Sequence, residues 1–252
     1  MRIAVVDGRG LACRLYYGNP HGSLVEGFVR AMNHVYELVQ PDRWCVAWES
    51  GPSFRADLSP DYKGTRGHKP TALSDGLGLV EKRMKELGVG WVQVDGYEAD
   101  DVMESVAAQA IVEDDTVALV TDDKDMLQCV EHENVKVLKP AGWRFVGAFE
   151  VVAEWGVRPY QIPDVLALMG DTSDNVSGVP GIGKKTACSL VARWGSLQGI
   201  LDNIDQVPGR AGTLIESYSE QAKKSLALVS LKNDACGLEV LTEATTLSGR
   251  NT

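Results

Sequence analysis

The chain has little from which a soft-metal site or a disulfide framework could be made. Its five cysteines, Cys13, Cys45, Cys129, Cys188 and Cys236, are odd in number and never spaced as C-x-x-C. That excludes a cysteine zinc site and fits the reduced, unpaired thiols of a cytoplasmic protein. Histidine is scarce too, and His21, His34, His68 and His132 are scattered, reading as structural or solvent-facing. No apolar run approaches the roughly 18–20 residues of a membrane helix. The N-terminus lacks the long apolar stretch of a secretory signal, so no membrane partner is expected. Positive charge is also short: the net charge is −10, the wrong sign for a typical nucleic-acid binder. That objection weakens once the acids are located, because nine of them fall in the motifs below and the remainder is close to neutral.

What is present is a core large enough to fold without covalent help: 252 residues, 44% hydrophobic. An apolar run at 2–6 predicts a first strand ending in Asp7-Gly8. Ser23, with Glu26 three positions on, reads as a capping box. It opens a helix whose apolar residues Leu24, Phe28, Met32, Val35 and Val39 recur at helical spacing until Pro41 stops it. A second strand at 44–48 ends at Glu49. The stretch 51–78, rich in glycine, proline and charge, is too long for an ordinary connection and marks a functional segment. Beyond it the pattern predicts a helix at 79–87, a strand at 91–94, a helix opened by 96–101 and running to about 112, strands at 116–120 and 135–138, and a helix near 149–155. Residues 163–232 read as mostly helical. Alternating strands and helices indicate an α/β fold with a central, mainly parallel sheet flanked by helices. No internal repeat is evident.

The acids carry the chemistry. Three predicted strands run into one, at Asp7, Glu49 and Asp123, and ligands of parallel α/β sheets sit beyond the carboxyl ends of the strands. Glu98, Asp100 and Asp101 lie at a helix N-terminus, where the dipole favours negative charge. Asp125 follows Asp123, and Asp171 and Asp174 share a loop before a glycine-rich turn. Any one of these, alone, reads as a cap or a solvated turn residue; the set does not. Like charges gathered in a cleft raise one another's pKa, and hard cations with oxygen ligands relieve that cost. So many acids exceed what one Mg²⁺ uses, and two ions about 3.5–4 Å apart would serve phosphoryl chemistry.

Two further segments bear on substrate. In Val179-Pro180-Gly181-Ile182-Gly183-Lys184-Lys185-Thr186-Ala187, Gly181 and Gly183 permit close backbone approach to a phosphate and the lysines add charge. Walker A spacing is absent. A plain helix–helix turn is the alternative; its position just after the acidic loop favours a hairpin that grips duplex backbone. Lys63 and Arg66, in the long segment, read either as a solvated loop or as a cationic gate that draws phosphate past the acids. Tyr62 reads as a base-stacking platform or as ordinary packing.

These stretches occur in a familiar order: Val6-Asp7-Gly8, Pro52-Ser53-Phe54-Arg55, Tyr62-Lys63-Gly64-Thr65-Arg66, Gly96-Tyr97-Glu98-Ala99-Asp100-Asp101, Thr121-Asp122-Asp123-Lys124-Asp125, Gly170-Asp171-Thr172-Ser173-Asp174-Asn175 and 178–187. With them the chain resembles the 5′-nuclease (flap endonuclease) superfamily, in particular the 5′-3′ exonuclease domain of bacterial DNA polymerase I and stand-alone bacteriophage exonucleases. The resemblance implies a nuclease domain over 1–160, with an arch segment at about 51–90, and a DNA-binding helical region with a helix-hairpin-helix over 161–252. It implies one metal site from Asp7, Glu49, Glu98 and Asp100 with Asp101 nearby, and a second from Asp123, Asp125, Asp171 and Asp174. These would hold two Mg²⁺, with Mn²⁺ as a substitute, and a K⁺ at the hairpin. Lys63, Arg66 and Asp101 would assist catalysis; Arg14, Tyr62, Lys63, Arg66, Gly181, Gly183, Lys184 and Lys185 would contact DNA. Glu49 departs from the family pattern, which places Asp there. The expected protein is a monomeric, cytoplasmic 5′-3′ exonuclease and flap endonuclease of bacterial or phage origin. It would act on DNA 5′ ends and flaps, stand alone rather than precede a polymerase, and serve replication or repair. The competing readings are an RNase of related architecture and a non-catalytic branched-DNA binder.

Overall fold

The structure is a computed structural model that describes residues 1–49, 51–65, 67 and 70–247. In chain order, β1 (Arg2–Asp7) leads into α1 (Gly8–Gly18) and α2 (Leu24–Val39), then β2 (Arg43–Ala47), α3 (Phe54–Leu58), α4 (Thr71–Glu86) and β3 (Gly90–Val92). Next come α5 (Ala99–Val112), β4 (Thr116–Val120), β5 (Val135–Lys139), β6 (Arg144–Val146) and α6 (Ala148–Trp155). The rest is helical, with α7 (Ile162–Met169), α8 (Lys184–Trp194), α9 (Leu197–Asp202), α10 (Arg210–Ser217) and α11 (Ser219–Val229), until β7 (Thr242–Glu243) returns to the sheet.

The strands lie in the order β3-β2-β1-β4-β5-β6, and β7 pairs with the start of β2. Pairing is parallel from β3 through β5; only β5–β6 and β2–β7 are antiparallel. The expected mainly parallel sheet is therefore what forms. Its strands are buried on both sides, as their unbroken apolar runs require. Because side chains alternate, Ile3, Val5, Cys45, Ala47, Val117 and Leu119 join α5 and the C-terminal helices on one face. Ala4, Val6, Trp44, Val46 and Val120 join α1, α2 and α4 on the other. The direction of the strand order reverses at β1, which has β2 on one side and β4 on the other, and an open α/β sheet leaves its ligand crevice at such a point.

Several local readings need correction. The stretch after Asp7 is a helix, α1, capped by the Asp7 side chain accepting from Gly10 N–H at 2.8 Å. Gly8 and Gly10 obscured it. A Cβ on Gly8 would lie 2.5 Å from a Val46 methyl, so glycine is there to let the helix close on β2. Helix α4 begins well before residue 79: its glycines read as loop, yet Leu73, Leu77, Val80 and Met84 form a helical stripe packed towards α2. The strand expected at 91–94 is shorter, at Gly90–Val92. All five cysteines are free. Among the described residues no helix is long and apolar enough to cross a membrane.

Candidate metal centre

The register explains why the acids meet. Asp7 ends β1 opposite Ala47, Glu49 lies just past the end of β2, and Val6 pairs with Val120, so that Asp123 emerges one turn beyond β4 on the same edge. Asp100 enters from the first turn of α5. Asp7, Glu49, Asp100 and Asp123 line one cavity of about 160 Å³, together with Arg9, Cys13 and Lys63. Asp125, Asp171 and Asp174 form an adjoining group in which one carboxylate oxygen from each lies within 4.8 Å of the other two, and all three are buried.

Three side chains tie the acids together, Thr121 within the first group and Tyr62 and Lys63 across to the second. Thr121 donates its hydroxyl to Asp7 at 3.0 Å and accepts the Asp123 N–H at 3.1 Å. The Tyr62 hydroxyl lies 3.1 Å from both Glu98 and Asp174. Lys63 Nζ is 2.9 Å from Glu98, 3.4 Å from Glu49 and 3.8 Å from Asp174. The Tyr62–Lys63 turn is itself fixed to the acidic loop, since Lys63 N–H donates to the Asp174 carbonyl and the Asn175 amide donates to the Asp61 carbonyl. That loop depends on backbone contact: a Cβ on Gly170, whose φ is +78°, would fall 2.6 Å from the Gly178 nitrogen.

The electrostatics are those of a site short of positive charge. Burial raises the carboxyls of Asp7 and Asp100, with Asp123 adding to both. Burial, then Asp123, pushes Asp125 up to about 8. Its Oδ1 is a buried acceptor with no hydrogen-bond donor, Lys124 Nζ standing off at 3.6 Å. Asp171 goes the other way: burial would raise it, but the Lys124 ammonium at 2.6 Å and the Ser173 hydroxyl hold it low. Burial and the neighbouring Glu98 and Asp174 raise the Tyr62 phenol. An orphaned buried carboxylate oxygen among oxygen-only donors is what a hard divalent cation fits, and among the described residues no cysteine or histidine joins the Asp125–Asp171–Asp174 group.

Other expected site residues lie elsewhere. Asp101 is not free to be a ligand. It is fully buried, both its oxygens are held by Arg55, and it also accepts from the Glu98 and Lys232 N–H groups. Its place at the third helical position turns it inward, away from the cavity that Asp100 faces. Glu49 reaches the cavity but is paired with Arg9 as well as Lys63. Arg14 pairs with Asp122 at 2.9 Å. Arg66 lies outside the described residues. Gly181 and Gly183 form the turn into α8, away from the acids. Lys184 sits 3.5 Å over the Trp155 ring and 3.6 Å from Glu154, and both it and Lys185 are exposed.

Sequence reasoning missed Arg9, Ser53, Arg55, Thr121 and Lys124, although four of them stand inside the quoted motifs. It also missed that the Val179-Pro180-Gly181 triplet recurs as Val207-Pro208-Gly209, each opening a helix after a left-handed glycine. A cavity of about 400 Å³ lies beside both turns, lined by Gly181, Thr186, Arg210 and Tyr218. The acid cavity continues into a larger cleft of about 610 Å³ lined by Tyr17, Ala56, Tyr62 and Leu73.

Two family models match consecutive parts of the chain. Residues 2–156 match the 5′-3′ exonuclease N-terminal resolvase-like domain, and residues 157–252 the 5′-3′ exonuclease C-terminal SAM fold. The thermostable DNA polymerase I of Thermus aquaticus is 34% identical over 243 residues, which cover 92% of this chain and 29% of the polymerase. DNA polymerase I of Bacillus caldotenax is 31% identical over 248 residues, covering 93% and 28%. The chain thus spans little more than a quarter of the length of these relatives. Among solved structures, T5 5′-exonuclease with bound divalent zinc superposes with a TM-score of 0.81 at 23% identity, covering 95% of each chain. A bacteriophage T5 flap endonuclease in a pseudo-enzyme–product complex with DNA and metal ions gives 0.77 at 24%, covering 91% and 89%. These share its fold.

Proposed function

The chain belongs to the 5′-3′ exonuclease family, and from that premise we propose that it is a structure-specific 5′-3′ exonuclease and flap endonuclease. It would hydrolyse DNA phosphodiester bonds with two divalent cations, leave 5′-phosphate products and act as a monomer in replication or repair. The observation that carries this reading is the meeting of Asp7, Asp100 and Asp123 in one cavity beside the buried group of Asp125, Asp171 and Asp174.

Asp7, Glu49, Glu98 and Asp100 would hold one Mg²⁺ or Mn²⁺; Asp123, Asp125, Asp171 and Asp174 would hold the other. Bound there, the pair would supply Lewis acidity at the scissile phosphate and a water of lowered pKa. The chain's own part is positional. Thr121 fixes the Asp7 carboxylate relative to the Asp123 backbone. Lys63, which bridges both groups of acids from the edge of the cleft, is placed to transfer its ammonium from carboxylates to a phosphate oxygen. Arg9 and Arg14, at the first turns of α1, supply cationic charge on the approach. The larger cleft offers Tyr62 and apolar walls to an unpaired 5′ segment, and the Gly181–Lys185 turn offers backbone N–H groups, carbonyls for a K⁺, and Lys185 to the duplex.

The test is incubation of the purified protein with 5′-flap, nicked and single-stranded DNA, and with a matched RNA flap, with and without Mg²⁺. Cleavage of DNA flaps only with Mg²⁺, lost in Asp123→Asn and Asp171→Asn while binding persists, is expected. Binding without any product indicates a branched-DNA binder; preference for the RNA flap indicates an RNase. Full turnover in either variant refutes the roles assigned here.

A further inference from the structure

Arg55 stands on α3, at the base of the segment that carries Tyr62 and Lys63, and is 1% exposed. Its guanidinium is saturated. Nη1 and Nη2 donate to the two oxygens of Asp101 at 2.6 and 2.8 Å. Nε donates to the Leu228 carbonyl at 2.7 Å and Nη2 to the Ser230 carbonyl at 3.1 Å, both at the end of α11. Nη1 also lies 3.4 Å from Glu98 Oε2. Asp101 is equally committed, accepting the Glu98 N–H at 3.0 Å and the Lys232 N–H at 2.9 Å. One buried ion pair therefore ties together the start of α5, the helix below the Tyr62–Lys63 turn and the last helix of the C-terminal region.

Stability alone does not call for such a pair. Burying two charges carries a desolvation cost, and apolar side chains of similar volume often fill the space as well or better. A planar fork does what an apolar filling cannot: it fixes direction and distance across three elements at once. Of the groups around the Glu98 carboxylate, Tyr62 and Lys63 face the cleft where substrate would lie. Ser53, which donates to Oε1 at 3.1 Å, lines the same cleft, whereas Arg55 does not.

We propose that Arg55 is a positioning residue that, with Asp101, keeps Glu98 directed into the cleft adjoining the Asp7–Asp100–Asp123 cavity and locks the base of the Tyr62–Lys63 segment to α11. The proposal rests on the reading in which Glu98 is a metal ligand. Arg55 touches neither metal nor DNA; it sets the geometry of a group that does. Partners behind a ligand commonly change metal affinity by roughly 10–100-fold when removed.

The experiment is a calorimetric Mn²⁺ titration of the whole chain without DNA, read alongside thermal melting, for wild type, Arg55→Lys and the double variant Arg55→Met with Asp101→Leu. Arg55→Lys keeps the charge but loses the fork. It is expected to weaken one of two Mn²⁺ sites by about tenfold or more and leave the other unchanged. The double variant removes the buried charges together but leaves the Leu228 and Ser230 carbonyls and the Glu98 and Lys232 N–H groups without these partners, so it is expected to fold with a lowered melting temperature, and the same Mn²⁺ site stays weak. A folded double variant with wild-type Mn²⁺ affinity overturns the proposal. So does a double variant that fails to fold, since that assigns the pair to stability. A wild-type chain that binds no Mn²⁺ sinks the functional reading instead, before any variant is made.

Discussion

Because the acids are buried together, divalent cations should stabilise this protein much more at pH 8.5 than at pH 6. Asp125 illustrates the linkage. Burial and Asp123 push its carboxyl up to about 8, against an unfolded value of 3.8. A carboxyl raised on folding contributes no penalty below about pH 4, where it is protonated in both states. Its charged form then costs progressively more stability as pH climbs, and the full cost is reached above the folded value. Asp7 and Asp100 are raised in the same direction; Asp171, held low by Lys124, opposes them weakly. The metal-free chain should therefore lose stability between about pH 4 and 8. At pH 8.5 the Asp125 carboxyl is mostly deprotonated, and a cation present at about 100 times its Kd adds ~2.7 kcal/mol. For a chain of this size that is roughly 5–10 °C in Tm. At pH 6, about two units below Asp125, displacing one proton weakens binding by about 100-fold, and the gain shrinks to about 1–2 °C. The assay is a pair of melts, in EDTA and in Mn²⁺, at each pH. Equal Tm gains at both pH values, or no proton release on Mn²⁺ binding, would show that the raised carboxyls are not the metal-binding groups.

Replacing Lys63 with Met should slow cleavage by about 100-fold while leaving Mn²⁺ binding intact or tightening it, because its ammonium now occupies the space between Glu98 and Asp174; weaker Mn²⁺ binding in a calorimetric titration would contradict this. Thr121→Val removes the hydroxyl shared by Asp7 and the Asp123 N–H, leaving a buried donor unpaired. A loss of about 1–3 kcal/mol in chemical denaturation and weaker Mn²⁺ binding are expected, and unchanged values for both would refute its bridging role. Gly178→Ala drives a Cβ to 2.6 Å from the Leu168 carbonyl oxygen. It should lower the chemical-denaturation midpoint by the equivalent of about 2 kcal/mol or more and abolish the second Mn²⁺ site, so an alanine variant that retains both sites would show the loop to be tolerant.

Much of the architecture could be read from the chain because strand endings are chemically abrupt. The runs into Asp7 and out of Val120 switch from apolar to acidic within a residue or three, and that switch located both the sheet and its ligand edge. Helix α2 was legible through its cap and stripe, with Ser23 accepting the Glu26 N–H as expected. What stayed hidden was whatever depended on a partner far along the chain. Gly8 reads only as the end of β1 until Val46 is placed beside it, and the first half of α4 reads as loop until its stripe meets α2. Asp101 reads as another ligand because the sequence cannot say which way each acid at a helix N-terminus turns. Glu98 and Asp100 face the cleft; Asp101 meets Arg55, a cation that earlier residues gave no reason to bury.

The same blindness explains the cations. In the folded chain Lys63 and Lys124 lie among the acids, each beside carboxylates drawn from different loops. A cluster of this density must be offset by positive charge from some source, because otherwise several of its members stay protonated. Lys124 shows the effect on Asp171, while Asp125, reached only at 3.6 Å, stays raised. The two lysines are thus too few to neutralise the group, Lys124 being committed to Asp171 at 2.6 Å while Asp125 stays raised. An acid cluster that is incompletely offset by ammonium groups keeps its capacity for stronger, more compact cations. That capacity, distributed over the ends of β1, β2 and β4, the first turn of α5 and the Gly170–Gly178 loop, is the physical reason residues so far apart in sequence belong to one site.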